Sequence, residues 1–279
     1  MSYMDGVDII YWINLDRSKD RRDYMENLLK DNVFQNVPNK RISAVDGEKT
    51  KDAVLARYVM QRQSRCSDVE YACFLSHLET IRAFSQTDNP VALIFEDDIT
   101  LDFKPYWSKT IREIMEAAPD DWEIIQLSYM TEKSKIPTQD FVPTYGNYFS
   151  AAAYLINNTA AKRWMREIYY DEKYHLDDSA RHVADEYTFH KLRTYTYRHP
   201  YFIYKANNDT TLYHTGSLPF HEKSRKDIEE VLYSPKFGGW WKYLIWFALF
   251  IILVMIVILV FGPYKSFKGG YKKLFKYRK

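Results

Sequence analysis

Val91-Ala92-Leu93-Ile94-Phe95-Glu96-Asp97-Asp98 decides the fold: five apolar residues without a polar break run straight into three carboxylates. A continuous apolar run of this length is predicted to be a strand covered on both faces, the kind found in a sheet flanked by helices. The carboxylates then fall at its carboxyl end, the rim where open α/β sheets place their ligands. Three acids crowded there repel one another. Hard oxygen donors suit a divalent cation such as Mn2+ or Mg2+, and a nucleotide diphosphate can complete its shell. Side chains alternate along an extended segment, which predicts Glu96 and Asp98 on one side and Asp97 on the other. Asp98 is the expected direct metal ligand, and Glu96 a second ligand or a nucleotide contact. From these three residues alone, a solvated acidic turn is the plain alternative.

Working outward, Thr87-Asp88-Asn89-Pro90 is a turn, and the helix before it opens at the capping box Ser67-Asp68-Val69-Glu70. Tyr71, Phe74, Leu75, Leu78 and Ile81 form its buried stripe. His77 shares the face of Phe74 and Ile81, so taken alone it reads as a core histidine. Residues 7–15 are β-branched and apolar, a first strand, followed by Ser18 as an N-cap and by Tyr24, Met25, Leu28 and Leu29 on one helical face. Further strands are predicted over 122–130 and 149–157, with helices over 111–117, 159–170 and 187–192. The pattern is α/β, a Rossmann-like, mostly parallel sheet flanked by helices. Residues 205–227 show no apolar period and are expected to form a long functional loop.

The 279 residues are 46% hydrophobic and 27% charged, enough for a sizeable core and unlike a disordered chain. Cys66 and Cys73 form no CxxC pair and no disulfide framework, so both are expected to be plain thiols. The net charge of +2 conceals an asymmetry. Without the seven basic residues after position 262, the remainder carries 32 Lys and Arg against 37 acids, a poor match for a nucleic-acid backbone. Residues 243–262 run without a charge and are predicted to form one transmembrane helix, with Trp240, Trp241, Tyr243, Trp246 and Tyr264 as interfacial aromatics. The expected organisation is a catalytic domain over 1–233, a linker over 234–242, a bilayer-spanning anchor over 243–262 and a basic tail over 263–279. The basic tail favours a cytosolic C-terminus, whereas the N-terminus shows no signal-peptide run. The expectation is a single-pass, C-terminally anchored membrane protein with a cytosolic domain. A lumenal orientation stays open, and an N-glycan at Asn157 or Asn208 would reveal it.

Five segments occur in an order that resembles glycosyltransferase family 25, the lipopolysaccharide-type galactosyl- and glucosyltransferases and collagen galactosyltransferases. They are Ile13-Asn14-Leu15-Asp16-Arg17 with Asp20-Arg21-Arg22, then Ala44-Val45-Asp46-Gly47, Cys73-Phe74-Leu75-Ser76-His77, Leu93-Ile94-Phe95-Glu96-Asp97-Asp98 and Ala153-Tyr154-Leu155-Ile156. The resemblance covers about residues 7 to 205. It implies a GT-A-like fold, a nucleotide-sugar donor (UDP-galactose or UDP-glucose), a Mn2+-type metal, inversion at the anomeric carbon and a glycan, glycolipid or protein acceptor. Asn14, Asp16, Arg17, Arg21, Asp46, Ser76, His77, Glu96 and Asp97 become expected donor-binding residues, with the arginines near phosphate and Asp46 near ribose or base. Asp98, Glu96 and a later His214 are the expected metal ligands. Asp185, ahead of Glu186, is the expected base that takes the acceptor proton. Ala72 departs from the family pattern, which has Gly there.

Two other readings stand beside this one. One is a catalytically inactive relative serving as a membrane-tethered scaffold. The other is a haloacid-dehalogenase-type phosphatase, where Glu96 would occupy the place of the nucleophilic Asp and misplace its carboxylate.

Overall fold

The computed structural model describes residues 2–49, 52, 56–59, 66–144, 146–205, 218–234 and 240–261. The chain divides into two compact units, Met1–Tyr233 and Ser234–Lys279. In chain order the first contains β1 (Ile9–Asn14), α1 (Lys19–Leu28), β2 (Asn39–Ser43), β3 (Tyr58–Val59), α2 (Asp68–Ser85), β4 (Val91–Glu96), β5 (Ile99–Thr100) and α3 (Ile111–Ala117). There follow β6 (Ile124–Gln126), β7 (Phe141–Pro143), β8 (Ala153–Asn157), α4 (Asn158–Ile168), β9 (Tyr169–Tyr170), β10 (Lys173–His175), α5 (Ala184–Lys191), β11 (Thr194–Tyr197), β12 (Ile203–Tyr204) and α6 (Leu218–Leu232).

Seven strands form one sheet in the order β2-β1-β4-β8-β6-β11-β7. Here β1 pairs in parallel with β2 and β4, and β6 with β11. By contrast β8 lies antiparallel between β4 and β6, and β7 antiparallel to β11 at the edge. The sheet is therefore mixed: β2, β1, β4, β6 and β11 share one direction, in keeping with the expected Rossmann-like arrangement, while β8 and β7 run against them. A strand buried on both faces carries the same apolar run whichever way it points, so composition could not reveal the reversal of β8.

Alternate residues of each central strand enter different cores, as a period of two requires. Tyr11, Ile13, Ala92, Ile94, Tyr154 and Ile156 pack with Phe74, Leu78 and Ile81 of α2 and Trp164 of α4. Ile10, Trp12, Leu93, Phe95 and Leu155 face the opposite way, toward Met25 of α1 and Ile111 and Ile114 of α3. The capping box of α2 forms as predicted: Ser67 N–H donates to Glu70 Oε2 at 2.7 Å, and Glu70 N–H donates to Ser67 Oγ at 3.2 Å. A cap of this type contributes about 1 kcal/mol. It fixes the start of the helix, and hence the phase that turns Cys73, Ser76 and His77 toward the ends of β1 and β4.

Some predicted boundaries move. The strand predicted over 122–130 contracts to β6 and that over 149–157 to β8, joined beyond their ends by a bridge between Met130 and Phe149. The second half of the predicted 205–227 loop belongs to α6, whose buried Ile228 and partly buried Val231 and Leu232 supply an apolar stripe just past that window. His214 lies outside the described residues.

The second unit contains α7 (Trp240–Phe261). Among the described residues no helix is long and apolar enough to cross a membrane. That overturns the transmembrane helix expected over 243–262, and with it the expected single-pass membrane location. The basic tail over 263–279 lies outside the described residues.

Candidate active site

The carboxyl ends of β1 and β4, the segment after β2 and one face of α2 enclose a cleft of about 660 Å³. Asn14, Arg17, Arg21, Asp46, Ser76, His77, Glu96, Asp97 and Asp98 all line it, so the structure brings together most of the residues the motifs singled out. Asp16 is not among the lining residues. It accepts from Arg41 at 2.5 Å and from Ser43 Oγ at 2.7 Å, tying β1 to β2 at their ends.

The acidic segment departs from simple alternation because β4 stops at Glu96 and the chain turns at Asp97-Asp98 before β5. Both aspartates therefore meet Arg21: one guanidinium nitrogen lies 2.6 Å from Asp97 Oδ1 and 2.7 Å from Asp98 Oδ2. Asp97 also accepts from Asn14 Nδ2 at 2.6 Å. The turn is fixed from outside by Lys205 N–H, which donates to the Asp98 carbonyl at 2.6 Å. Asp98 Oδ1 is buried and has no hydrogen-bond partner among the described residues. Burial pushes the Asp98 carboxyl up to about 7, with Glu96 and Asp97 adding repulsion and Arg21 opposing it. Burial likewise raises Asp97, against Arg21 and Asn14.

Asn14 is the hub of the rim and is itself buried. Its amide donates to Asp97 and to the Ser18 carbonyl, while its oxygen accepts from Arg41 Nε at 3.0 Å and Arg22 Nε at 3.4 Å. Opposite, Ser76 Oγ accepts from Val45 N–H at 2.9 Å and donates to the Ala72 carbonyl at 2.7 Å, fastening the loop after β2 to α2. Gly47 rests directly on that helix. A Cβ there would lie 2.8 Å from the Asp68 carbonyl oxygen and 2.9 Å from Ala72 Cβ. Arg17 pairs with Asp46 at 2.8 Å and Glu48 at 3.2 Å. Both expected phosphate-binding arginines therefore hold acidic partners within the chain.

One neighbourhood went unread in the sequence. Cys73 and His77 stand one turn apart on α2, and with Glu96 at the end of β4 their donor atoms all lie within 4.8 Å of one another. His77 is buried, with Nε2 3.2 Å from Glu96 Oε1 and Nδ1 3.1 Å from the Tyr154 hydroxyl. The i, i+4 spacing of Cys73 and His77 was visible, but nothing local announced that the acidic end of a strand would meet it.

Asp185 and Glu186 occupy the first turn of α5 and line a second cleft of about 680 Å³ with Tyr148, Phe149, Arg181 and Phe189. Asp185 Oδ2 accepts from Ser150 N–H at 2.8 Å. Ser150 has φ of 101°, a left-handed conformation held by Asp185 on one side and by Gln126 Nε2, which donates to its carbonyl at 2.7 Å, on the other. Burial raises the Asp185 carboxyl, the Ser150 and Glu186 amides pull it down, and the charge of Glu96 pushes it up again. Glu186 is raised by burial and by Asp185 but is paired with Arg181 at 3.3 Å.

Comparison with known proteins places the chain in a family. The profile of Glycosyltransferase family 25 (LPS biosynthesis protein) matches residues 7–180. Procollagen galactosyltransferase 2 of Mus musculus is 30% identical over 158 residues, covering 52% of this chain and 24% of that relative. A Glycosyltransferase 25 family member of Aedes aegypti is 28% identical over 178 residues, covering 58% of this chain and 28% of its own. The chain thus spans about a quarter of the length of these relatives. Among solved structures, mouse Xyloside xylosyltransferase 1 matches at 16% identity, 57% and 55% coverage and a TM-score of 0.25. HddC from Yersinia pseudotuberculosis matches at 12% identity, 82% coverage of each chain and a TM-score of 0.32. With the profile spanning most of the sheet and every rim motif up to α4, the chain belongs to glycosyltransferase family 25, a family of glycosyltransferases.

Proposed function

We propose that this chain transfers a hexose, galactose in the first instance and glucose as the alternative, from a UDP-type nucleotide sugar to an acceptor hydroxyl, with inversion and with a divalent cation at Asp98 and Glu96. The observation that carries the reading is the Asp98 carboxylate, whose buried Oδ1 lacks a partner at the rim of the cleft. A hard cation such as Mn2+ or Mg2+ suits that oxygen donor set. When bound, the cation would neutralise charge developing on the departing diphosphate.

The chain's own residues divide the remaining work. Asn14 and Arg21 hold the acidic turn in place by opposing the mutual repulsion of its carboxylates. The loop fastened by Ser76 and Gly47 shapes the wall against which a nucleoside would lie, with Asp46 available for a ribose or base contact. Asp185, held by backbone amides and raised by burial, is the better base of the acidic pair, since a raised carboxyl binds the acceptor proton more strongly. Glu186 is already engaged by Arg181. The relatives named procollagen galactosyltransferase support galactose as the sugar, and the acceptor is a glycan, glycolipid or protein hydroxyl.

The test is a panel of nucleotide sugars incubated with the full chain in Mn2+ or in chelator, followed by transfer to sugar and peptide acceptors. Turnover of UDP-galactose that needs the cation is expected. Asp185→Asn should lower kcat by about 10²- to 10⁴-fold while retaining UDP binding. No turnover of any donor by the folded chain would refute the reading in favour of an inactive scaffold.

A further inference from the structure

The trio of Cys73, His77 and Glu96 does not look like the hard-oxygen site beside it. Hard cations such as Mg2+ and Mn2+ favour carboxylate and carbonyl oxygen, whereas thiolate and imidazole favour softer metals, Zn2+ above all. We propose that Cys73 Sγ, His77 Nε2 and Glu96 form a binding site for a thiophilic divalent cation, Zn2+ in the first instance, distinct from the cation at Asp98. This inference stands whether or not the chain transfers hexose.

Three observations carry it. The first is spacing: Cys73 and His77, four residues apart on α2, present their side chains on one face, and β4 delivers Glu96 against them, so all three donor atoms fall within 4.8 Å. Ligand atoms of a tetrahedral zinc site lie about 3.5 Å apart, so closure needs a shift of roughly 1 Å. The Glu96 side chain, 24% exposed at the end of its strand, would make it by giving up its contact with His77 Nε2.

The second is orientation. A metal-binding histidine characteristically has its other nitrogen held by a hydrogen-bonding group, which fixes the ring and the tautomer. Here the Tyr154 hydroxyl sits 3.1 Å from Nδ1, and Tyr154 is buried. Nε2 is the nitrogen turned toward Glu96, 3.2 Å from its Oε1.

The third is the local field. Asp97, Asp98 and Glu96 line the same cleft as Cys73 and His77, with Arg21 offsetting part of the charge of the two aspartates. The same negative surroundings attract a dication. On binding, the metal–sulfur bond replaces the S–H bond and the proton passes to solvent, so affinity rises with pH. Cys73, His77 and Glu96 all line the cleft, from which a fourth ligand would come. Because Glu96 is shared with the site at Asp98, a zinc ion seated here withdraws that carboxylate from the hard cation.

The experiment is a Co2+ titration of the full chain, stripped of metal, following the thiolate-to-cobalt charge-transfer absorption in the near ultraviolet. One equivalent of band is expected, bleached by Zn2+ and unmoved by Mg2+. Cys73→Ser should abolish it, while Cys66→Ser, which alters the other thiol, should leave it intact. Glu96→Gln, isosteric with the native residue, keeps the thiol and should raise the Co2+ midpoint on the order of tenfold or more, at least what loss of an outer-shell partner causes. A thermal melt of each variant verifies folding. Absence of the band in the native chain, its persistence in a folded Cys73→Ser, or a midpoint unchanged in Glu96→Gln would each overturn the proposal.

Discussion

Replacing Asp98 by Asn should make the metal-free protein more stable as pH rises. The side chain is only 26% exposed, and its carboxyl is pushed from the ordinary 3.8 up to about 7. A shift of about three units corresponds to about 4 kcal/mol of unfavourable ionisation in the folded state. Because the folded-state value lies above the unfolded one, the folded protein binds the extra proton across the interval between them. The contribution of this group is fully favourable below about pH 4 and is lost as pH climbs through 7. Asparagine has the shape of the protonated acid and no charge to pay for. In chelator, urea unfolding of the two proteins should therefore diverge from pH 5 to pH 8, with more than half of the roughly 4 kcal/mol appearing in that window. Adding Mn2+ should restore the native protein selectively, by about 2.7 kcal/mol at a hundredfold excess over Kd. Parallel pH profiles for the two proteins in chelator would refute the reasoning, since they would mean that Asp98 ionises without strain.

Other perturbations test the frame around the rim. Ser76→Ala removes the bond to Val45 N–H and should weaken UDP binding about fivefold, roughly 1 kcal/mol, with kcat nearly unchanged, as calorimetry and steady-state kinetics would show. Gly47→Ala places a Cβ 2.8 Å from a backbone oxygen that cannot rotate away, so the donor KM should rise further than for Ser76→Ala. Ile94→Ala, in a fully buried position of β4, should cost about 2–5 kcal/mol in urea unfolding without changing the m-value.

What was legible in the sequence was what depends on neighbours in the chain. The apolar run ending at Glu96 forms β4, the capping box at Ser67 starts α2, and residues 111–117 form α3 as predicted. The reversal of β8 was not legible, because Ala153-Tyr154-Leu155-Ile156 is buried throughout and carries no directional mark. Nor was the joint grip of Arg21 on Asp97 and Asp98, since alternation presumes an extended backbone and the chain turns there. Cys73 read as a plain thiol because its partners are one helical turn and one strand away, a proximity that only packing creates. The apolar run at 243–262 does lie in a helix as far as Phe261, but among the described residues no helix is long and apolar enough to cross a membrane.

The antiparallel course of β8 reaches beyond the hydrogen-bond ladder. In a wholly parallel sheet, only segments that leave strands can border the carboxylates at their ends. Here Ala153 pairs with Phe95, and Ala152 accepts from Glu96 N–H, so the segment leading into β8 arrives beside the acidic turn and brings Ser150 with its hold on Asp185. Lengthening or shortening the chain just ahead of Ala153 would therefore remodel the rim of the cleft itself. The same change after Asn157 would fall at the opposite end of the strands, beside Val91, and leave the cleft's outline alone.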